Sequence, residues 1–399
     1  MTTYHDLGIQ PIINASGSVT RLGGARLPEA VLEAYRVAAQ ETVPVEQLQA
    51  AASRQIAAVT GAEAGLVTSG SAAALTLGAA AILTGLDVAR MERLPDCRGI
   101  AHEFVVAREH RNGYDHAVRA AGVRLVEVGF NEQVAGAGVR RTEVWEYLAA
   151  CGPETAGILY VLTPSSRPGL DAVVEAAHDR GLPVLVDAAG ELPPRQNLQA
   201  IPATGADLVA FSGGKAIRGP QATGILCGRT DLVTAAALQM LDMDDHWDLW
   251  DPPENWLEKS QLPGLPRHGL GRSMKVAKEE LMALLTALEL FSQGAYEEEL
   301  VVQHQWLEQL VDGLAGCPVT CRIVDLADGQ TPCRLEIQLD PARSSRNAMQ
   351  VCRALRDGDP PIYVGHGKLD EGKIVINPFC LVADQVEDLG RRLAEELAT

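Results

Sequence analysis

The chain has 399 residues, 47% of them hydrophobic, and a formal net charge of −18, a length that suits one large domain plus a smaller one with an ample buried core. Such acidity argues against nucleic acid as a partner, because binding it depends on lysines and arginines that neutralise phosphates. No apolar run approaches the roughly 18–20 residues that span a bilayer, and Met1-Thr2-Thr3-Tyr4-His5-Asp6 lacks the basic and apolar regions of a signal peptide, so a cytoplasmic protein without membrane contact is expected.

Residues 1–48 read as an N-terminal arm, with turns at Gly17 and Gly23-Gly24 and an amphipathic helix over 28–40. A second helix is expected over 45–60, with Leu48, Ala52 and Ile56 on one face. From Ala64 strands and helices alternate, the strands falling at 64–68, 103–107, 124–128, 157–162, 183–187, 207–211 and 223–227. That alternation is the signature of an α/β fold whose mostly parallel seven-stranded sheet carries helices on both faces. Residues 49–275 form the expected large domain. Within it, 242–272 is rich in Trp, Pro and acidic residues, with Trp247, Trp250 and Trp256 close together. A loop that long is either a surface excursion packed by its own tryptophans or a lid. An extended helical stretch over 273–314 then leads into a small C-terminal α+β domain, the two together spanning 276–399, with strands at 334–339 and 374–377 and a helix over 384–396. Of the eight cysteines only Cys317 and Cys321 are neighbours, without the second pair or the histidines of a zinc site, so no metal and reduced thiols are expected.

Chemistry concentrates in three places. Asp187 ends the apolar run Pro183-Val184-Leu185-Val186, and Lys215 closes Phe211-Ser212-Gly213-Gly214-Lys215 directly after the next apolar run. A carboxylate at one strand end and a lysine after a neighbouring strand are the means by which pyridoxal phosphate is held on an open α/β sheet. The acid keeps the pyridine nitrogen protonated, and the amine forms the Schiff base. Taken singly, the Asp could cap a helix and the Ser-Gly-Gly-Lys turn could be a hairpin. The third element is Thr68-Ser69-Gly70-Ser71-Ala72-Ala73, a strand running into a small-residue turn and an Ala-rich helix. The unpaired N–H groups and dipole at such a helix start attract an anion. Ser69, His110, Asp187 and Lys215 all fall after strand carboxyl ends, where ligands bind in such sheets.

With these stretches, Pro11-Ile12-Ile13-Asn14-Ala15-Ser16-Gly17, His110-Arg111-Asn112-Gly113-Tyr114-Asp115, Leu185-Val186-Asp187-Ala188-Ala189-Gly190-Glu191-Leu192-Pro193-Pro194 and the block from Ala206 to Gln221 complete a pattern. The chain resembles the SelA-like group of fold-type-I (aspartate-aminotransferase-like) pyridoxal phosphate enzymes. That group includes selenocysteine synthase relatives and D-glucosaminate-6-phosphate ammonia-lyase-like proteins, and the latter branch looks closer. The resemblance implies that Lys215 is the Schiff-base lysine and the proton shuttle at the substrate's Cα, and that Asp187 pairs with the pyridinium nitrogen. It implies that Ser69, Gly70, Ser71 and Ser212 hold the cofactor phosphate, and that His110 packs against the cofactor ring. The arm residues Asn14, Ser16 and Thr20 fold over the active site in similar enzymes. Arg218, Gln221, Arg267, His268 and Arg272 could reach a substrate carboxylate or phosphate, a task that suits the planar arginine fork. Some relatives carry an arginine after the proline of a late strand, where this chain reads Asn377-Pro378-Phe379.

The implied activity is a pyridoxal 5′-phosphate-dependent lyase acting on an amino acid or amino sugar acid. It would remove the α-proton and eliminate a β-substituent, giving a 2-oxo acid and ammonia. The same lysine, aspartate and phosphate loop would serve an aminotransferase, an aldolase or a racemase, and a non-catalytic regulator on this fold is the remaining class. The resemblance also implies a small-molecule amino-group substrate and a homodimer or larger homo-oligomer.

Overall fold

The computed structural model describes residues 2–130, 140–242, 244–324 and 332–398. In chain order the strands are β1 (Ile13–Ala15), β2 (Ala64–Thr68), β3 (Glu103–Ala107), β4 (Arg124–Val128), β5 (Thr155–Val161), β6 (Val184–Asp187), β7 (Leu208–Ser212), β8 (Gly224–Gly228), β9 (Val319–Val324), β10 (Arg334–Leu339), β11 (Ile362–Val364) and β12 (Lys373–Ile376). The chain divides into two compact units, residues 27–293 and residues 1–26 with 294–399.

The larger unit holds the expected seven-stranded sheet, in the order β2-β8-β7-β6-β5-β3-β4. β8 runs antiparallel to both neighbours and the other pairings are parallel. β2, β3, β6 and β8 are buried at every residue. That is why they read as continuous apolar runs rather than as alternations: helices cover both faces. The helix Ser71–Thr84 is apolar on nearly every side because it lies in the core, and at Gly78 it packs on Leu185, Leu208 and Leu226 of three adjacent strands. Trp250 and Trp256 are buried in this same core. Trp250 Nε1 donates to Glu46 Oε2 at 3.2 Å, and the Thr234 hydroxyl donates to Trp256 O at 3.1 Å. The tryptophans thus strap their segment onto the unit, with Trp247 6.0 Å from Trp250.

The unit boundaries fall at 26/27 and 293/294, where the sequence suggests 48 and 275. The helices Glu29–Ala38 and Lys278–Ser292 pack on one another inside the larger unit, and Lys278 Nζ donates to Ala38 O at 3.0 Å. The helical stretch expected over 273–314 is two helices, Lys278–Ser292 and Glu297–Gly313, with a turn between them.

In the smaller unit β9, β10 and β12 form an antiparallel sheet, and β1 pairs in parallel with β11. The helices Ala348–Asp357 and Ala383–Leu397 turn Val351, Cys352 and Leu355, and Val386, Leu389 and Leu393, onto the core at helical spacing. Among the described residues no disulfide joins any of the eight cysteines. Among the described residues no helix is long and apolar enough to cross a membrane.

Candidate active site

Because six of the seven strands in the larger unit are parallel, the carboxyl ends of β2, β3, β5, β6 and β7 share one edge of the sheet, and β8 starts there. Gly224, the first residue of β8, is opposite Thr68 on one side and Ser212 on the other. This register brings the Ser69-Gly70-Ser71 turn and Ser212, far apart in sequence, to the two flanks of one residue. The approach is close: a Cβ on Gly224 would stand 2.4 Å from the Gly70 carbonyl carbon and 2.5 Å from Ser71 N. Gly224→Ala must therefore displace backbone at the start of the Ser71–Thr84 helix. It is expected to lower stability by about 1–3 kcal/mol, the usual cost of overpacking, read by urea denaturation. An unchanged unfolding midpoint would show that the turn yields freely.

The loop bearing Lys215 is pinned just as tightly. The amide N–H of Gly213 donates to Thr223 O at 2.9 Å, that of Gly219 to Gly213 O at 2.9 Å, and that of Arg218 to Lys215 O at 3.0 Å. A side chain on Gly213 would meet Thr223 Oγ1 at 2.4 Å, and one on Gly214 would meet Gln221 Cα at 2.6 Å. The two glycines before the lysine are thus dictated by the loop packing back on itself. Arg218 sits at φ +60°, a left-handed conformation that costs a non-glycine residue about 1 kcal/mol or more and persists where the surroundings impose it.

Asp187, Lys215 and Glu191 meet around one turn. Asp187 is 8% exposed; its Oδ1 accepts the Ala189 N–H at 3.1 Å, and Lys215 Nζ donates to Ala189 O at 3.0 Å. Burial pushes the Asp187 carboxyl above its ordinary range, against the Ala189 N–H and the Lys215 charge that pull it down. Burial pushes the Lys215 amine below its ordinary value, against the charges of Asp187 and Glu191. The half-buried Glu191 carboxyl is raised by burial and by Asp187. Such shifts in a cluster at a sheet edge make these three residues functional-site candidates.

His110, 5% exposed, follows β3, and among the described residues neither ring nitrogen has a hydrogen-bond partner. Its ring meets Tyr160 of β5 edge-on, with centroids 4.7 Å apart, and burial holds its pKa below the usual imidazole value. Tyr160 donates to Pro168 O at 2.7 Å and its phenol is pushed up to about 12 by burial. Just past β5, Thr163 Oγ1 and Ser166 Oγ lie 2.9 Å apart. Tyr160, Thr163 and Ser166 lie outside the motifs, and Glu191 stands inside the stretch around Asp187 without a role assigned to it. The signal for each was its place within two or three strand ends of Asp187.

The candidate substrate contacts distribute unevenly. Gln221 and Arg218 lie on the Lys215 loop. Arg272 is ion-paired with Asp242 at 2.5 Å. Arg267 faces Glu92 at 3.9 Å, and His268 faces Asp244 at 3.4 Å. Asn14 and Thr20 belong to the smaller unit. There Asn14 shapes its own turn, Nδ2 donating to Gly17 O and Oδ1 accepting the Ser16 N–H, both at 3.0 Å.

The residues present fit pyridoxal phosphate. A buried carboxylate and a pinned lysine share a turn, a helix N-terminus of small residues opens at the same sheet edge, and the polar atoms of a buried imidazole have no partner among the described residues. Comparison with known proteins agrees. The sequence profile of the family described as SelA, L-seryl-tRNA selenium transferase, matches residues 12–243. The 5′-C-glycyluridine monooxygenase-decarboxylase of a Streptomyces species is 32% identical over 99% of this chain and 92% of its own. The D-glucosaminate-6-phosphate ammonia lyase of Salmonella typhimurium is 28% identical over 98% and 97%. A solved D-glucosaminate-6-phosphate ammonia-lyase structure superposes with a TM-score of 0.81 at 28% identity, covering both chains fully. Thermus thermophilus aspartate aminotransferase, at a TM-score of 0.50 and 17% identity over 99% of this chain and 94% of its own, shares the fold alone. The chain has the fold-type-I architecture.

Proposed function

The chain belongs to the SelA (L-seryl-tRNA selenium transferase) family, and on that footing we propose that it is a pyridoxal 5′-phosphate-dependent lyase acting on an amino acid or amino sugar acid. The observation that carries this reading is the convergence of Asp187 and the pinned Lys215 on the Ala188–Ala189 turn. Full-length likeness to an ammonia lyase supports it. Bound pyridoxal phosphate supplies an electron sink for the substrate's Cα electrons.

The chain's own residues do the rest. Lys215 anchors the cofactor through Nζ and, once released by substrate, takes the proton from Cα; its lowered pKa favours the neutral amine that this needs. Asp187 holds the proton on the pyridine nitrogen. Ser69, Gly70, Ser71 and Ser212 hold the phosphate, using the free N–H groups that open the Ser71–Thr84 helix. His110 packs against the ring. Arg218, Gln221 and Arg272 are the large unit's candidates for an anionic group on the substrate, Arg272 by exchanging its Asp242 partner. The substrate gives up its α-proton and a β-hydroxyl as water, and a second water then replaces the amino group, leaving a 2-oxo acid and ammonia. With a formal charge of −18, we assign a free small molecule rather than a charged tRNA as substrate, and a homodimer or larger homo-oligomer as the working form.

A second reading is oxidative decarboxylation, favoured by the 32% identity to a monooxygenase-decarboxylase. One assay separates them. Cofactor-loaded protein is incubated with β-hydroxy amino acids, amino sugar acids and a glycyl nucleoside, with and without oxygen. The lyase reading expects ammonia and 2-oxo acid in both atmospheres without a keto-acid co-substrate. Carbon dioxide release that stops without oxygen would replace it with the oxidative reading, and a requirement for a keto-acid acceptor would replace it with transamination.

A further inference from the structure

No hydrogen bond among the described residues holds the His110 ring, although both of its nitrogens are buried. Most buried polar side chains have at least one partner, and a buried histidine is ordinarily oriented by the bond that one of its nitrogens makes. Here packing must set the ring plane instead. Among the described residues the ring that packs on it is Tyr160, with centroids 4.7 Å apart and planes at 74°. A near-perpendicular aromatic contact depends on angle, so turning either ring forfeits it. Tyr160 is itself locked. It is 0% exposed in β5, between β3 and β6, and its hydroxyl donates to Pro168 O at 2.7 Å. Burial pushes the phenol up to about 12, so it stays the donor of that bond at neutral pH.

We propose that Tyr160 is a positioning residue that sets the plane of the His110 ring for its contact with the cofactor, an assignment that rests on the role given to His110 above. In the register of β5 with β6, Tyr160 lies opposite Val186, and the next residue, Val161, lies opposite Asp187. The strand that aims the imidazole is therefore paired with the strand that carries the acid. No bond is made or broken in this role; its effect is on populations. Without the tyrosine, no ring contact or hydrogen bond among the described residues selects one plane for the imidazole. The fraction of molecules ready for the cofactor falls, and the apparent affinity falls with it. The unmet nitrogens fit this reading. They cost solvation that an apolar residue in the same place would avoid, so an imidazole kept there points to a use beyond packing.

The test titrates the full-length protein with pyridoxal phosphate and reads Kd from the quenching of tryptophan fluorescence, so it does not depend on turnover. Y160L is expected to weaken binding by about 3–10-fold, the worth of one aromatic pair. Y160F keeps the ring edge and is expected to bind as the wild type does. The deciding comparison is a double-mutant cycle with H110A. In that background Y160L is expected to cost nothing further, because a residue that acts through His110 has nothing left to act on. Losses that simply add would make Tyr160 a packing residue of its strand and overturn the proposal. So would wild-type affinity in Y160L, or a loss in Y160F as large as that in Y160L. Should Y160L fail to fold, Y160M takes its place in the cycle, since methionine refills the space without a ring. The reading beneath is checked separately: wild-type affinity in H110A ends the role given to His110, and a wild type that binds no pyridoxal phosphate ends the cofactor assignment itself.

Discussion

Lys215→Ala is expected to abolish turnover and to remove the visible absorbance that pyridoxal phosphate acquires on joining a lysine amine. On the proposed roles, two functions are lost in one substitution: the covalent anchor and the base that receives the Cα proton. The second alone is worth about 10²–10⁴-fold in rate, so a residual rate near background is expected when ammonia release is followed. Misfolding should not confuse the result. Burial lowers the Lys215 pKa in the folded chain, so the stability it contributes is present above its unfolded value of 10.5 and is lost as pH falls through the lowered one. At neutral pH the protonated amine is a burden on the cofactor-free fold. The melting temperature of cofactor-free K215A should then equal or exceed that of the wild type. Turnover that survives the substitution would end the lysine's assignment, whatever the absorbance does.

How far the sequence reveals this site depends on what each residue signals locally. β2, β3 and β4 are legible to the residue because each is a short apolar or β-branched run bounded by turn signals, and β2, β3, β6 and β8 are covered on both faces. The remaining sheet strands shift by one or two residues at their ends, where backbone pairing rather than side-chain character sets the limit. β1 and β11 are another matter. They are three residues each and pair across nearly the whole chain, so neither carries a periodic pattern long enough to read. The break between the helices Lys278–Ser292 and Glu297–Gly313 hides within a sequence that stays apolar-periodic on both sides.

Within the candidate site, Asp187, Lys215 and the turn at Ser69 announce themselves because polar and small residues at the ends of apolar strands are unusual. The two glycines before Lys215 and the one at Gly224 owe their identity to close backbone approach, which needs coordinates to be seen. Tyr160 looks like any aromatic residue in a buried strand until His110 is found against its ring. Glu191 looks like a surface acid until its turn is folded against Lys215.

Asp187→Asn separates the roles of acid and turn. The amide oxygen of asparagine can still accept the Ala189 N–H that Asp187 holds at 3.1 Å, so the turn is expected to stay. What is lost is the charge. Turnover should fall by about 10²–10⁴-fold, the range associated with loss of one acid–base group, and kcat should carry most of the loss, because Lys215 and the turn at Ser69, the groups proposed to anchor the cofactor, are untouched. Stability should move the other way. Burial raises the Asp187 pKa in the folded chain, so the stability this group contributes is present below its unfolded value of 3.8 and is lost as pH rises through the raised one. At neutral pH the cofactor-free wild type therefore carries a buried charge that the variant does not. Cofactor-free D187N is expected to melt above the wild type at pH 7, and the gap should close on acidification toward the carboxylate range. A variant that melts lower and keeps its turnover would make Asp187 a cap for the 187–189 turn and nothing more.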